Sequence, residues 1–188
     1  VGDMLRDLAL TWDWCADAVT PEQRTRWSAY AEQAVWNVWH PDQAQWGGQP
    51  FPWSGWAIDD PADNYYYSFV EATMYWGLAE DSTTWIDLLQ DDKLPELEQY
   101  VAGIDGGGSQ EGTGYGLSHR TLFSLYRVWR DSTGEDLANA NRHLTDSIAW
   151  WIHATVPTRD RVAPIGDQAR VSVPVIYDYH RDLVLEAR

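Results

Sequence analysis

Thr20-Pro21-Glu22-Gln23-Arg24, followed by apolar residues at Trp27, Tyr30, Ala31, Ala34, Val35 and Val38, is the stretch that decides the fold. Thr20 carries the side chain of an N-cap, Pro21 suits the first helical position, and Gln23 can close a capping box. The apolar spacing of three and four predicts a helix that runs on to Trp39. The same period recurs on both sides. Before it, Leu5, Leu8, Ala9, Trp12 and Cys15 or Ala16 mark a helix over residues 3–19, with Cys15 as a small buried member of the apolar face. After it, helices are predicted over 64–79, over 83–102 with a break near Pro95, from the glycine-rich loop to Asp131, over 135–155, and over 174–188. Nothing reads as a run of strands.

Loop lengths turn this row of helices into an architecture. The connections after the first, third and fifth helices are short, whereas those at 40–63, 103–112 and 156–170 are long. In antiparallel hairpins this alternation places every long loop at the same end. The predicted fold class is all-α: an incomplete (α/α) toroid of antiparallel helical hairpins with long loops on one rim. Residues 1–188 read as a single domain of this kind. Because the sequence opens and closes in helical pattern, the expectation is a piece of a larger chain. Loops gathered on one rim are where a binding site usually sits.

Composition narrows the function. Against 29 Asp+Glu there are 13 Lys+Arg, a formal charge of −16, so a nucleic-acid partner is not expected. No apolar run reaches the roughly 20 residues of a membrane span, and the first residues carry Asp3, Arg6 and Asp7 in place of a signal-peptide core. Cys15 is the only cysteine, which leaves the compartment open. The 13 Trp and 10 Tyr exceed what one core would use, and flat aromatic rings also stack on the apolar faces of sugars. Lys93 is the only lysine beside many arginines. Arginine forks suit carboxylates and sulfates, although a genome-wide bias would give the same pattern.

Each long loop carries a constellation. The first holds Trp46, Trp53 and Trp56 and ends in Asp59-Asp60-Pro61-Ala62-Asp63-Asn64-Tyr65-Tyr66-Tyr67. Asn64 stands at a helix start and reads either as a cap or as an amide that binds a carboxylate or hydroxyl. The three tyrosines point about 100° apart, so one or two can face a site, and Tyr66 is the candidate. The second loop reads Asp105-Gly106-Gly107-Gly108-Ser109-Gln110-Glu111-Gly112-Thr113-Gly114-Tyr115-Gly116. Its glycines would let backbone approach a ligand, but it lacks the Lys-Ser/Thr pair of a phosphate loop. Tyr115 and His119 share a helix face and form a candidate acid–base pair, with a structural histidine as the alternative. Glu111 is expected to be structural, favoured by the helix N-terminus that follows it. The third loop places Arg159, Arg161 and Arg170 around Pro164-Ile165-Gly166-Asp167-Gln168, a basic patch able to attract an anionic polymer. No cofactor is expected, and no metal: the histidines show no tight zinc spacing, and no serine sits in a nucleophile elbow.

Taken together, Asp13-Trp14-Cys15-Ala16-Asp17 with Thr20-Pro21-Glu22-Gln23-Arg24, the Asn64-Tyr65-Tyr66-Tyr67 helix start, Gly108-Ser109-Gln110-Glu111-Gly112-Thr113-Gly114-Tyr115-Gly116, and Ile165-Gly166-Asp167 resemble the heparinase II/III-like and alginate-lyase-like polysaccharide lyases. The resemblance runs in order along nearly the whole chain. It implies an incomplete (α/α) toroid, normally followed by a β-sandwich that these 188 residues do not include, and a periplasmic or secreted location. It also implies β-elimination at a uronic acid of an anionic polysaccharide. Asn64 then corresponds to the residue that neutralises the substrate carboxylate, and Tyr115 to the catalytic base or acid. The family's histidine has no clear counterpart; His119 is the nearest candidate. Trp53, Trp56, Tyr66, Gln110, Arg159, Arg161 and Arg170 would bind substrate.

Two other classes remain open. An inverting glycoside hydrolase on an α/α toroid would need two carboxylates roughly 6.5–9.5 Å apart, drawn from Asp59 or Asp60 with Glu111 or Asp167. A non-catalytic carbohydrate-binding solenoid would keep the loop tryptophans and need no Tyr115 hydroxyl.

Overall fold

The capping box at Thr20 forms as its sequence predicts. The Thr20 hydroxyl accepts the Gln23 N–H at 3.2 Å, and Gln23 Oε1 accepts the Thr20 N–H at 2.9 Å. Helix α2 then runs over Pro21–Trp39, preceded by α1 over Gly2–Trp14. The computed structural model describes residues 1–166, 182, 183 and 185–187. Among the described residues 67 % are helical against 5 % in strand, so the fold is mostly helical. Among the described residues, no helix is long and apolar enough to cross a membrane.

Two compact units make up the chain: Val1–Asp60 with Tyr65–Lys93, and Pro61–Asn64 with Leu94–Arg188. In the first, Leu5, Ala9 and Trp12 of α1 meet Ala31, Ala34 and Val35 of α2. Ala72 and Trp76 of α3 (Asn64–Glu80) and Trp85 of α4 (Thr83–Leu88) complete this core. Burying a large apolar side chain is worth about 1.5–3 kcal/mol, so this cluster is a substantial source of the unit's stability. Cys15 corrects its expectation: α1 stops at Trp14, and Cys15 is exposed in the bend that follows. The first long loop is more ordered than its composition suggests, since Gly47-Gly48 joins two short antiparallel strands, β1 (Gln45–Trp46) and β2 (Gln49–Pro50).

The break expected near Pro95 lies one turn earlier. A π-helical turn, Leu89–Lys93, separates α4 from α5 (Leu94–Ala102). Proline offers no N–H, and its ring clashes with the carbonyl four residues back, here Asp91; a wider turn relieves both. Lys93 closes this turn almost fully buried, its ammonium 2.8 Å from Asp59 and 3.2 Å from Asp92.

In the second unit, α6 spans Gly116–Thr133 after a 3-10 turn at Thr113–Tyr115. The last described helix, α7, is His143–Ala154 and begins well after the predicted Glu135. Asn141 accounts for the late start. Its Oδ1 accepts the His143 N–H at 2.8 Å and its Nδ2 donates to Glu98 at 2.9 Å, so it serves a turn and not a helix interior. Most of the predicted helix at 174–188 lies outside the described residues.

Candidate functional site

The second unit collects the end of the first long loop, Pro61–Asn64, together with the second and third loops. Glu111 is the junction. Its Oε1 accepts the Asn64 side-chain N–H at 2.9 Å, and its Oε2 accepts the Ser118 hydroxyl at 3.2 Å. The Asn64 backbone N–H also donates to this carboxylate. The sequence expectation ties Glu111 to the helix that follows it; the structure joins it instead to the backbone and side chain of Asn64, the first residue of α3, and to the Ser118 hydroxyl in the first turn of α6. Burial pushes the Glu111 carboxyl above its ordinary range and Asp63 adds to the shift, against the hydrogen bonds from Asn64 and Ser118.

Tyr115 lies between the two anchors of this junction, four residues after Glu111 and three before Ser118. It closes the 3-10 turn and immediately precedes α6, half-buried. The turn is fixed from the other side by the third loop. Thr113 N–H donates to the Ile165 carbonyl at 2.8 Å, the Thr113 hydroxyl donates to the Ala163 carbonyl at 2.6 Å, and Gly112 bridges Gly166.

The glycines serve this self-contact. A Cβ on Gly112 would stand 2.0 Å from the Ile165 oxygen, and one on Gly107 would stand 2.1 Å from the Ser147 nitrogen of α7. The close approach read from the sequence as ligand access is an approach of the chain to itself.

His119 sits in that framework, with both ring nitrogens engaged by the protein. It is fully buried on α6. The Trp151 indole can only donate, and it meets His119 Nδ1 at 2.7 Å, which leaves the proton on Nε2 to be donated to the Gly108 carbonyl at 3.2 Å. His143 donates to the same carbonyl from Nε2 at 3.0 Å. Burial, with His143 adding, holds His119 down at about 3. Burial also lowers His143, against the Gly108 hydrogen bond and Asp146. Both ring nitrogens of His119 are thus committed inside the protein, which favours the structural role over catalysis.

The substrate-binding candidates divide. Tyr66 is corrected: it is fully buried in the first unit and its hydroxyl donates to the Lys93 carbonyl at 2.8 Å. Its neighbour Tyr65 is the exposed member of the three. Trp53, also in the first unit, is anchored by its indole N–H to the Asn37 carbonyl at 2.8 Å and by an edge contact with Phe69. Trp56 in the same loop is 65 % exposed, so a ring surface faces solvent there. Gln110, Arg159 and Arg161 are exposed in the second unit. Arg161 donates to Asp160 at 2.9 and 3.2 Å, so its charge is already matched. Arg170 lies outside the described residues, as does Asp167. Asp59, a hydrolase candidate, is held by Lys93.

No protein-family model, no curated protein and no solved structure matches this chain. The chemistry of the site therefore rests on its own residues. Asn64 offers an amide beside a carboxyl of raised pKa, Tyr115 offers a phenol at a helix start, and Arg159 offers an exposed cation in the adjoining loop. Among the described residues, no group of three or more His, Cys, Asp or Glu could hold a metal ion. Ser118, His143 and Trp151 were not singled out in the sequence. Their partners lie 7 to 35 residues away, and no periodic pattern encodes such pairs.

Proposed function

We propose that this chain is polysaccharide-lyase-like and acts by β-elimination at a uronic acid of an anionic polysaccharide. Its helices would belong to an incomplete (α/α) toroid of antiparallel hairpins, similar to the heparinase II/III-like and alginate-lyase-like enzymes. The observation that carries this reading is the Asn64–Glu111–Ser118 hydrogen-bond set, which draws the amide and the Tyr115-bearing turn into one cluster. The short connections between α1 and α2 and between α3 and α4 support helical hairpins of the kind a toroid uses.

The chemistry follows from these groups. The proton beside a uronate carboxylate is weakly acidic, and its removal requires donors aimed at the developing enediolate. Asn64 supplies such a donor, and Arg159 adds positive charge in the same unit. Tyr115, as phenolate, takes the proton from the carbon next to the carboxylate; the electron pair forms the double bond and expels the glycosidic oxygen. That oxygen leaves with a proton returned by the same tyrosine. Apart from this cluster, the first unit carries in Trp56 an exposed apolar ring of the kind that stacks on sugars.

A hydrolase is the second reading, favoured by the half-buried Glu111, whose raised pKa suits a general acid. One assay separates the two. Incubation with a panel of uronate polymers should yield the ultraviolet absorbance of an unsaturated uronate; new reducing ends without that absorbance would exclude elimination in favour of hydrolysis.

A further inference from the structure

We propose that Glu111 is the positioning residue for Asn64, and that a proton on Glu111 turns the Asn64 amide so that its N–H pair replaces its carbonyl on the side open to substrate. The proposal rests on the reading of Asn64 as the group that binds the uronate carboxylate. Its starting point is the 2.9 Å contact between Asn64 Nδ2 and Glu111 Oε1. An ionised carboxylate only accepts, so it fixes Asn64 with Nδ2 inward and turns the planar amide's Oδ1 to the opposite side. A carboxylate ligand arriving there meets a carbonyl oxygen, and the two repel.

Protonation reverses the demand. The carboxylic acid donates, Asn64 Oδ1 can accept from it, and the amide rotated by half a turn offers both N–H groups outward. The carboxyl itself stays in place through this exchange, because the Ser118 hydroxyl and the Asn64 backbone N–H both donate to it. Among the described residues, the titratable group acting on Glu111 is Asp63, at the end of the first long loop. From α6 comes the Ser118 hydroxyl, and the third loop meets the Glu111–Gly112 backbone through Ile165 and Gly166. Asp63 disfavours charge on Glu111, and an incoming uronate adds a second negative charge near it. Ligand binding and proton uptake therefore reinforce each other. Burial of the Glu111 carboxyl acts in the same direction.

Two measurements on the full chain test this. The first needs no ligand: NMR titration of the Glu111 side-chain carboxyl and the Asn64 side-chain amide in the wild-type protein. Both should move with one midpoint, above the ordinary glutamate value. Amide signals that stay still while Glu111 titrates, as they would if the proton lodged on the oxygen facing Ser118, overturn the proposal. The second is calorimetry with unsulfated oligouronates in buffers of different ionisation enthalpy. Binding should take up as much as one proton, and affinity should fall by up to tenfold per pH unit above the Glu111 midpoint. Glu111→Gln, whose amide can donate to Asn64 Oδ1 at any pH, should remove both the uptake and the pH dependence. Binding without proton uptake in the wild type refutes the switch and leaves the lyase reading standing. A coupled NMR titration in a protein that binds no oligouronate upholds the Glu111–Asn64 coupling and refutes the proposed function.

Discussion

Replacing Gly112 by alanine is the sharpest test of how the second and third loops are held together. Gly112 has φ +75° and ψ −153°, a conformation that alanine adopts only under strain. Its missing Cβ would stand 2.0 Å from the Ile165 oxygen, 2.5 Å from the Ile165 carbonyl carbon and 2.9 Å from Gly166 Cα, all backbone atoms that no rotamer can move. Backbone strain of this kind costs about 1–3 kcal/mol, and parting the two segments sacrifices the Thr113–Ile165 hydrogen bond, worth about 1 kcal/mol more. Gly112→Ala should therefore destabilise the protein by about 2–4 kcal/mol, and at a urea m-value of about 2 kcal/mol per M the midpoint should fall by roughly 1–2 M. Gly106→Ala is the control. It shares a positive φ of 79° but has nothing within 4 Å of its Cβ position, so it should cost only about 1 kcal/mol for the backbone alone. Equal midpoint shifts for the two variants, read by circular dichroism in urea, would refute the close-approach argument.

The buried histidines make the protein acid-sensitive. His119, held at about 3, and the lowered His143 stay neutral when folded and titrate near 6.5 when unfolded, so the unfolded state binds more protons as the pH falls. Their stabilisation is complete above about 6.5 and is lost as the pH falls, down to about 3 in the case of His119, at up to about 1.4 kcal/mol per pH unit for each histidine while it titrates, and the raised Glu98 and Glu111 offset some of the loss at the acid end. A urea midpoint that climbs steadily on acidification below neutrality would contradict this. Trp151→Phe deletes the donor to His119 Nδ1 and leaves a buried acceptor unpaired, which should lower stability by about 1–3 kcal/mol in thermal or urea melts. In binding assays on uronate polymers at several salt concentrations, Arg159→Gln should flatten the salt dependence more than Arg161→Gln, whose cation already serves Asp160; the reverse order would move the patch. Tyr115→Phe should reduce unsaturated-product formation by at least about 10²-fold with an unchanged circular dichroism spectrum, and wild-type turnover in a folded variant would end the mechanism.

The helices were legible where local chemistry decides them. The Thr20 capping box and the apolar spacing of α2 rest on residues only a few positions apart, so sequence alone carries them. The late start of α7 was not legible, because Asn141 is bound to Glu98, 43 residues away. The same limit governs the site. Asn64, Glu111 and Tyr115 could be singled out as residues, but the carboxylate that joins Asn64 to Ser118 spans 47 residues on one side and 7 on the other. His119 shows the opposite failure. Its spacing from Tyr115 predicts a shared helix face, but Tyr115 precedes α6 in a 3-10 turn, and the partner Trp151, 32 residues on, has no local signal to reveal that the His119 ring is enclosed.

The abundance of tryptophan and the abundance of acid, read separately from composition, meet in a shared structural device. A buried indole N–H left unpaired costs about 1–3 kcal/mol, so each tryptophan in a core needs an acceptor. Glu32 supplies one for both Trp76 and Trp85, at 3.1 and 2.9 Å, and Glu135 supplies one for Trp129 at 2.7 Å. Both glutamates are themselves exposed, so each charge keeps its hydration while its oxygen reaches a buried ring; a fully enclosed carboxylate would lose several kcal/mol to desolvation. Trp39 and Trp53 use Thr73 and the Asn37 carbonyl in the same way. Tryptophan count therefore measures the core as much as any sugar-binding surface. The rings left for recognition are those that remain exposed, and among the loop tryptophans read as stacking platforms Trp56 meets that condition while Trp53 does not.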